Sequence, residues 1–345
     1  MFVTINDWPA LANLSGQTNK GFNTCTHCLD ETDSLYLKHC KKVVYMKHRR
    51  FLLGKHPLRK EGKHFNGEAD HRTKPTHRNG HRVFQMVKDL KVVLGKGSGR
   101  QPVQKENGKA PMWKKKSIFW NLPYWEVLDV RHSIDVMHVT KNLCVNVLGF
   151  LGVYGKGKDT LEARQDLEAL KERGVLHPEK RGKGEHYLGP ASYTLSKKEK
   201  DTMFECLNSI KVPSGCSSNV KRLINMKKKK FTYIKSHDCH MLMTQILPVV
   251  LRGILPENVR KTITKLCAFL NAISQKIINP ANLERLQIEV VQSLVSCELI
   301  FPPSFFDILT HLLARNWRNW RCRKFNLLRT LNKEKVKQSK KNKFK

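Results

Sequence analysis

The residues best suited to chemistry lie in one stretch near the middle of the sequence, from Leu122 to Asn142. Seven ionisable side chains stand there among apolar ones: Glu126, Asp129, Arg131, His132, Asp135, His138 and Lys141. Because an unpaired buried charge costs several kcal/mol, these groups must pair with one another or line a cleft in which a metal ion offsets their charge. If residues 132–148 form a helix, Asp135 and His138 share one face, which suits a metal or acid–base site. A local Asp–His hydrogen bond at the start of a partly buried helix is the alternative.

A second candidate is the Cys25-Thr-His-Cys28 motif, which has the spacing of half a tetrahedral zinc site. It is followed by a run of histidines at positions 39, 48, 56, 64, 71, 77 and 81. We expect Zn²⁺ to be held by Cys25, Cys28, His48 and His56, with His39 and Cys40 as the other pair considered. The alternative is two reduced cysteines beside a basic arm whose histidines are only solvated.

The elements that position these residues can be predicted from periodicity and caps. Residues 1–5 include three β-branched side chains and predict a strand, and the spacing of Ala10, Leu11 and Leu14 predicts a helix that ends at Gly16. Residues 55–81 contain few apolar side chains, which indicates a loop or extended arm. Helical spacing returns at 83–94, and a flexible linker is expected at 95–111.

The second half of the chain is predicted to be mostly helical. Helices are expected at 160–172 and 196–210, and Ser196 with Glu199 forms a capping box for the latter. Four more helices are expected at 239–255, 256–278, 280–297 and 303–313. They predict a separate all-α module with its own core.

The chain is strongly basic, with 64 Lys and Arg against 29 Asp and Glu and a formal charge of +35. Such a surface attracts polyanions, and nucleic acid is the first partner to consider. The ten cysteines are scattered, which indicates a reducing compartment rather than a disulfide framework. No signal peptide and no membrane-length apolar run is evident, so we expect a nuclear protein without a membrane partner.

Several segments together resemble one family, the plant CACTA (En/Spm) class of DNA transposases. The resemblance covers roughly residues 1–313 and is carried by TINDWPALANLSG (4–16), CTHC (25–28), HRRFL…HPLRK…FNG (48–67), WKKKSIFWNLPYWEVLDVRHSIDVMHVTKN (113–142) and YTLSKKEKDTMFECLNSIKVPSG (193–215). The segments KSHDCHMLMTQILPVVLRGILP (235–256) and FPPSFFDILTHL (301–312) look like the helical plant domain that follows the catalytic region in these proteins.

The resemblance implies an α+β fold that contains the C-terminal part of an RNase H-like catalytic domain. The implied organisation is an incomplete catalytic region at 1–155 with a CxxC/His-rich insertion at about 20–112, a basic linker region at 156–234, an α-helical domain at 235–313 and a basic disordered tail at 314–345. In such enzymes three carboxylates bind two Mg²⁺ or Mn²⁺ ions, which activate the attacking oxygen and stabilise the leaving oxygen of a phosphodiester. Asp7 matches the family's second acid, and Asp135 is the candidate for the third.

Two departures from the family pattern predict that catalysis fails. The family's first acid lies upstream of the strand that precedes Asp7, so we expect an amino-truncated protein. Relatives commonly carry Glu where this chain has Thr140. The leading hypothesis is therefore an inactive transposase-derived protein that still binds DNA. An active divalent-metal-dependent nuclease or strand transferase, and a non-catalytic homo-oligomerisation module at 237–313, are the alternatives.

Overall fold

The computed structural model describes residues 3–90, 111–182, 184–211 and 219–315. The predicted linker, up to residue 110, and the predicted basic tail from residue 316 onward lie outside these residues. The described α-helices are α1 (Trp8–Ser15), α2 (Pro57–Lys60), α3 (Gly80–Val87), α4 (Val136–Phe150), α5 (Leu161–Ala169), α6 (Lys197–Ser209), α7 (Ser236–Met241), α8 (Leu247–Val250), α9 (Glu257–Ser274), α10 (Leu283–Ile300) and α11 (Ile308–Leu313).

The strands of the described residues form two-stranded sheets. The strands are β1 (Thr4–Asn6), β2 (Leu35–Leu37), β3 (Lys42–Val44), β4 (His132–Ile134), β5 (Glu179–Arg181), β6 (Glu185–Tyr187), β7 (Ile224–Asn225) and β8 (Lys230–Phe231). β1 and β4 are parallel, whereas β2–β3, β5–β6 and β7–β8 are antiparallel hairpins. This mixture of helices and small sheets confirms the α+β class.

Local chemistry explains why α1 begins and ends where the sequence predicts. The Asp7 carboxylate caps the helix by accepting a hydrogen bond from the Ala10 backbone N–H at 2.9 Å, and Pro9 lies in the first turn. Gly16 ends the helix in the left-handed conformation, with φ of +80°. A Cβ at Gly16 would lie 2.1 Å from the Lys115 carbonyl oxygen, so both the backbone angle and the close approach require glycine.

The helix predicted from residue 132 starts later, and this corrects the shared face expected for Asp135 and His138. His132, Ser133 and Ile134 form β4, which pairs with Thr4, Ile5 and Asn6 of β1. Asp135 then caps α4, with its side chain accepting a hydrogen bond from the Met137 N–H at 3.1 Å. Pairing with a strand far away in the sequence overrides local helical spacing here.

One hydrophobic core runs from Trp8 in α1 to Ala314 after α11. Helix α4 lies at its centre, packed against α7 and α11. Its Asn146 side chain donates to the Phe305 carbonyl oxygen at 2.7 Å, and the Tyr45 N–H donates to the Phe306 carbonyl oxygen at 2.9 Å. The helices predicted between 239 and 313 are present, and they share this core with the amino-terminal region.

The region expected to be a basic linker contains buried structure. Arg164 and Leu167 of α5 are both fully buried. The capping box of α6 is confirmed, because Ser196 and Glu199 exchange hydrogen bonds with each other's backbone. No helix among the described residues is both long enough and apolar enough to cross a bilayer.

Candidate functional site

Two acids stand side by side at the ends of the parallel strands. Asn6 of β1 pairs with Ile134 of β4, so Asp7 and Asp135 are the residues that directly follow the two strands. The Asp135 N–H donates to the Asn6 carbonyl oxygen at 2.7 Å. Both acids have extended backbone angles, and neighbouring strands lie about 4.8 Å apart. The fold therefore places two acidic residues that are far apart in the sequence at the ends of neighbouring strands.

The positions of these acids at helix starts reduce their mutual repulsion. Each carboxylate accepts a backbone N–H from the helix that follows, and the positive end of the α1 or α4 dipole lies beside it. Asp7 is exposed and Asp135 is half-buried, so a ligand can approach the pair from solvent. Carboxylate oxygens are the donors that Mg²⁺ and Mn²⁺ prefer, and one or two carboxylates together with substrate phosphates are a common Mg²⁺ set.

A half-buried histidine, His132, links the two strands that carry the acid pair. The His132 Nδ1 lies 2.7 Å from the Thr4 hydroxyl, which in turn accepts from the Asn6 side-chain amide at 2.8 Å. The ring also packs edge-on against buried Trp125, with ring centroids 5.4 Å apart. Burial, together with the positive charge of Arg131, lowers the pKa of His132 to about 3. The ring is therefore neutral at physiological pH, and its contacts with Thr4 and Trp125 give it a structural role.

Thr140 and His138 occupy different faces of α4. Thr140 is fully buried, and its hydroxyl has no hydrogen-bond partner among the described residues. His138 is half-buried, and its backbone carbonyl oxygen accepts from the Asn142 side chain at 2.8 Å. A side chain at position 140 thus points into the core, away from the solvent-facing acids.

A second group of residues could hold a metal ion. The sulfurs of Cys25 and Cys28 and a ring nitrogen of His311 lie within 4.8 Å of one another, and all three residues are buried. The Cys28 Sγ and the His311 Nε2 are 3.4 Å apart. The Cys28 backbone N–H also points at the Cys25 Sγ, at 3.4 Å, so the CxxC turn directs both sulfurs to one side.

The electrostatics of the two thiols differ. Burial opposes ionisation of both, but a hydrogen bond from Cys28 and the neighbouring His311 lower the pKa of Cys25 well below its ordinary value. Burial and the adjacent Cys25 raise the pKa of Cys28. A thiolate at Cys25 is the form that ligates metals.

His48 lies next to this group, whereas the other predicted donors lie elsewhere. The rings of His48 and His311 have centroids 5.6 Å apart. His56 caps α2, with its Nδ1 accepting from the Leu58 N–H at 3.2 Å. The backbone N–H groups of His39 and Cys40 both donate to the Asp166 carboxylate, and burial with this acid raises the pKa of Cys40 to about 12.

His311 is a donor that the sequence reasoning missed. It follows an apolar run and lies in α11, and its separation from Cys28 by 283 residues hid the relationship. A single histidine on a buried, otherwise apolar helix face was the one available indication.

The hairpin formed by β7 and β8 carries a cluster of lysines, Lys227 to Lys230. Lys227 and Lys228 are exposed at its turn. Burial and the charge of Lys230 both lower the pKa of Lys200 on α6, so the hairpin and α6 present positive charge at one place. By contrast, Arg49, Arg50 and Arg59 of the histidine-rich segment are buried and bond to protein oxygens.

Comparison with known proteins connects the amino-terminal part of the chain to a family. Residues 1–90, which include Asp7, Cys25, Cys28 and His48, match the profile of Transposase family tnp2. This family is of the En/Spm type, so the resemblance to CACTA-like transposases is confirmed over residues 1–90. Searches of curated proteins and of solved structures found no match.

Proposed function

We propose that this chain is a transposase-related DNA-binding protein in which Asp7 and Asp135 form a two-acid divalent-metal site that, by itself, does not complete strand cleavage. The observation that carries the proposal is the parallel pairing of β1 with β4, which places the two acids next to each other. A parallel strand pair with a helix after each strand is what an RNase H-like sheet requires at its catalytic edge, and this supports that fold attribution.

The donor set fits Mg²⁺ or Mn²⁺. Two solvent-accessible carboxylates supply hard oxygen ligands and leave coordination positions for phosphate oxygens. When bound, such an ion polarises a phosphodiester and neutralises charge on the oxygens that react. Asp7 and Asp135 would hold the ion, and the two helix starts would keep their carboxylates in place.

The proposed metal site lacks a third acid among the described residues. The resemblance implies three carboxylates, of which Asp7 and Asp135 match the second and third, and it implies that relatives commonly carry Glu where this chain has Thr140. Its side chain is directed into the core, so position 140 is poorly placed to reach the ion held by the pair. Among the described residues, the acids and histidines near Asp7 and Asp135 do not form a three-ligand group.

DNA binding is supported by charge and by the basic hairpin. The formal charge of +35 and the exposed Lys227 and Lys228 offer phosphate contacts that need no base sequence. Nuclear localisation and self-association would accompany this activity, and both stay predictions. For the buried Cys25, Cys28 and His311 we propose a structural Zn²⁺, since thiolate and imidazole donors suit that ion.

The experiment combines DNA binding, metal binding and cleavage on the full chain. Duplex binding is measured as salt is raised, with a Lys227→Gln/Lys228→Gln variant and a control variant, Lys265→Gln/Lys276→Gln, which changes the same charge on exposed lysines elsewhere. Each phosphate contact contributes about −0.9 to the slope of log K against log salt. We expect the hairpin variant to lower that slope by about 1.8 and the control to leave it unchanged.

Mn²⁺ binding by the chain is then measured for Asp7→Asn and Asp135→Asn, which retain a capping oxygen but remove the charge. Both variants should lose Mn²⁺ affinity and keep DNA affinity, and no variant should cleave DNA. Metal-dependent cleavage that disappears in both variants would show that another residue or chain completes the site, and the active-enzyme alternative would replace the proposal.

A further inference from the structure

We propose that Cys25, Cys28, His48 and His311 form one four-ligand zinc centre, and that Glu298 orients His48 within it. The inference rests on the structural zinc proposed above and goes beyond it, because it assigns the fourth donor and the residue that positions it. The centre lies in the buried core, where the segment from Cys25 to Phe51 meets α10 and α11.

The distances among Cys25, Cys28 and His311 suit a tetrahedral ion, and His48 lies just outside this group of three, whose ligand atoms are all within 4.8 Å of one another. With Zn–S of about 2.3 Å and Zn–N of about 2.0 Å, neighbouring sulfur and nitrogen ligands lie about 3.5 Å apart. Cys28 Sγ and His311 Nε2 are 3.4 Å apart. Two imidazoles on one such ion have ring centroids about 5 Å apart. Those of His48 and His311 are separated by 5.6 Å, so the proposal requires the His48 ring to shift toward the other three donors as the ion binds.

His48 has the free nitrogen that a ligand needs. Its side chain is fully buried, and its Nε2 has no hydrogen-bond partner among the described residues. An unpartnered buried polar atom costs about 1–3 kcal/mol, so a fold that keeps one there needs a compensating partner. A zinc ion bound to Nε2 supplies that compensation.

Glu298 sets the orientation and the tautomer of that ring. Its Oε1 accepts from both the His48 Nδ1, at 2.6 Å, and the His48 backbone N–H, at 3.0 Å. With the proton held on Nδ1, the Nε2 lone pair is available for a metal. A carboxylate behind a ligating histidine is a recurrent arrangement that fixes the ring and raises its basicity.

This arrangement gives the metal a definite role. The centre would join a loop near the amino terminus to helices near residue 300, and it would release the thiol protons as the ion binds. Because the two parts are distant in sequence, closing them together restricts the unfolded chain and stabilises the shared core.

Metal analysis of the full chain loaded with Zn²⁺ tests the ligand set directly. X-ray absorption at the zinc edge should report two sulfur and two nitrogen neighbours. The variant His48→Cys should change that ratio to three sulfurs and one nitrogen, whereas His56→Cys, the matched control, should leave it unchanged. A wild-type ratio in both variants would overturn the assignment of His48.

Zinc affinity, measured by competition with a chelator, tests the role of Glu298. Glu298→Gln should weaken zinc binding by about 10–100-fold, the usual effect of changing a partner of a metal-ligating histidine. His48→Ala should weaken it at least as much, and His56→Ala should not. Stoichiometric zinc with unchanged affinity in Glu298→Gln and His48→Ala would refute this inference but leave the proposed zinc intact, whereas no bound zinc in the wild-type chain would refute both.

Discussion

The buried pair of Arg164 and Asp159 offers a quantitative test of how firmly residues 156–190 are held. The Arg164 Nε and one terminal nitrogen donate to the two Asp159 oxygens at 2.6 and 2.7 Å. The guanidinium also donates to the carbonyl oxygens of Leu176, at 2.9 Å, and Gly189, at 3.1 Å. The Tyr193 hydroxyl donates to the same carboxylate at 3.0 Å. Burial and, to a smaller extent, the charge of Asp159 raise the pKa of this tyrosine.

The magnitudes follow from which group is left without a partner. Asp159→Ala leaves a fully buried guanidinium uncompensated, and such a loss costs about 3–5 kcal/mol. Arg164→Met removes the cation and leaves the more accessible Asp159 and two carbonyl oxygens, which should cost about 1–3 kcal/mol. The double variant should cost less than the sum of the two, because neither charge then remains buried alone.

Urea unfolding, followed by tryptophan fluorescence, measures these free energies. The exposed pair Arg285 and Glu289, one turn apart on α10, is the matched control, and the same substitutions there should cost no more than about 0.5 kcal/mol. If Asp159→Ala and Arg164→Met cost as little as the control, or if their costs simply add, then the segment is not held by a buried ion pair.

Three further predictions concern the Asp135 cap of α4, His132 and the helical region 235–313. Asp135→Ala should lower the free energy of unfolding by about 1 kcal/mol and Asp135→Asn by much less, because Asn can still cap α4. If urea unfolding shows equal losses of stability for the two variants, the cap is ruled out. The pKa of His132 is about 3 in the folded protein and about 6.5 in the unfolded chain, so between these values only the unfolded chain binds the proton. Stability should therefore fall by about 1.4 kcal/mol per pH unit as the pH is lowered through that range, relative to His132→Gln; parallel pH profiles would contradict this. Residues 235–313 alone should unfold without a cooperative transition, because they lose α4 and the partner of Glu298; a sigmoidal melt by circular dichroism would restore the separate-module hypothesis.

The DNA-binding proposal depends on where the basic residues point, which charge counting does not reveal. Arginines of the histidine-rich segment bond to oxygens within the protein: Arg50 donates to the Asp33 carboxylate at 2.8 Å, and Arg59 donates to the Asp70 carbonyl oxygen at 2.8 Å. Lys227 and Lys228, at the turn of the β7–β8 hairpin, are exposed to solvent. Net charge therefore indicates a polyanion partner, and the fold selects which cations are available to it.

Local features of the fold could be read from the sequence because their causes are local. Asp7, Pro9 and Gly16 mark the ends of α1, Ser196 and Glu199 cap α6, and apolar spacing predicts the long helices α9 and α10. Each depends on residues within a few positions of one another. The CxxC motif likewise brings two sulfurs to one side of a single turn.

Tertiary structure alone decided the relationships between distant residues. The β1–β4 pairing turned the predicted helical start at His132 into a strand and placed Asp135 beside Asp7. The shared core brought α11 onto the CxxC turn, which made His311 rather than His56 the neighbour of the two thiols. The physical reason is that strand pairing and core burial act between segments regardless of their separation along the chain. The sequence by itself therefore determined the types of donor residue and the helix caps, whereas the packing determined which donor residues come together.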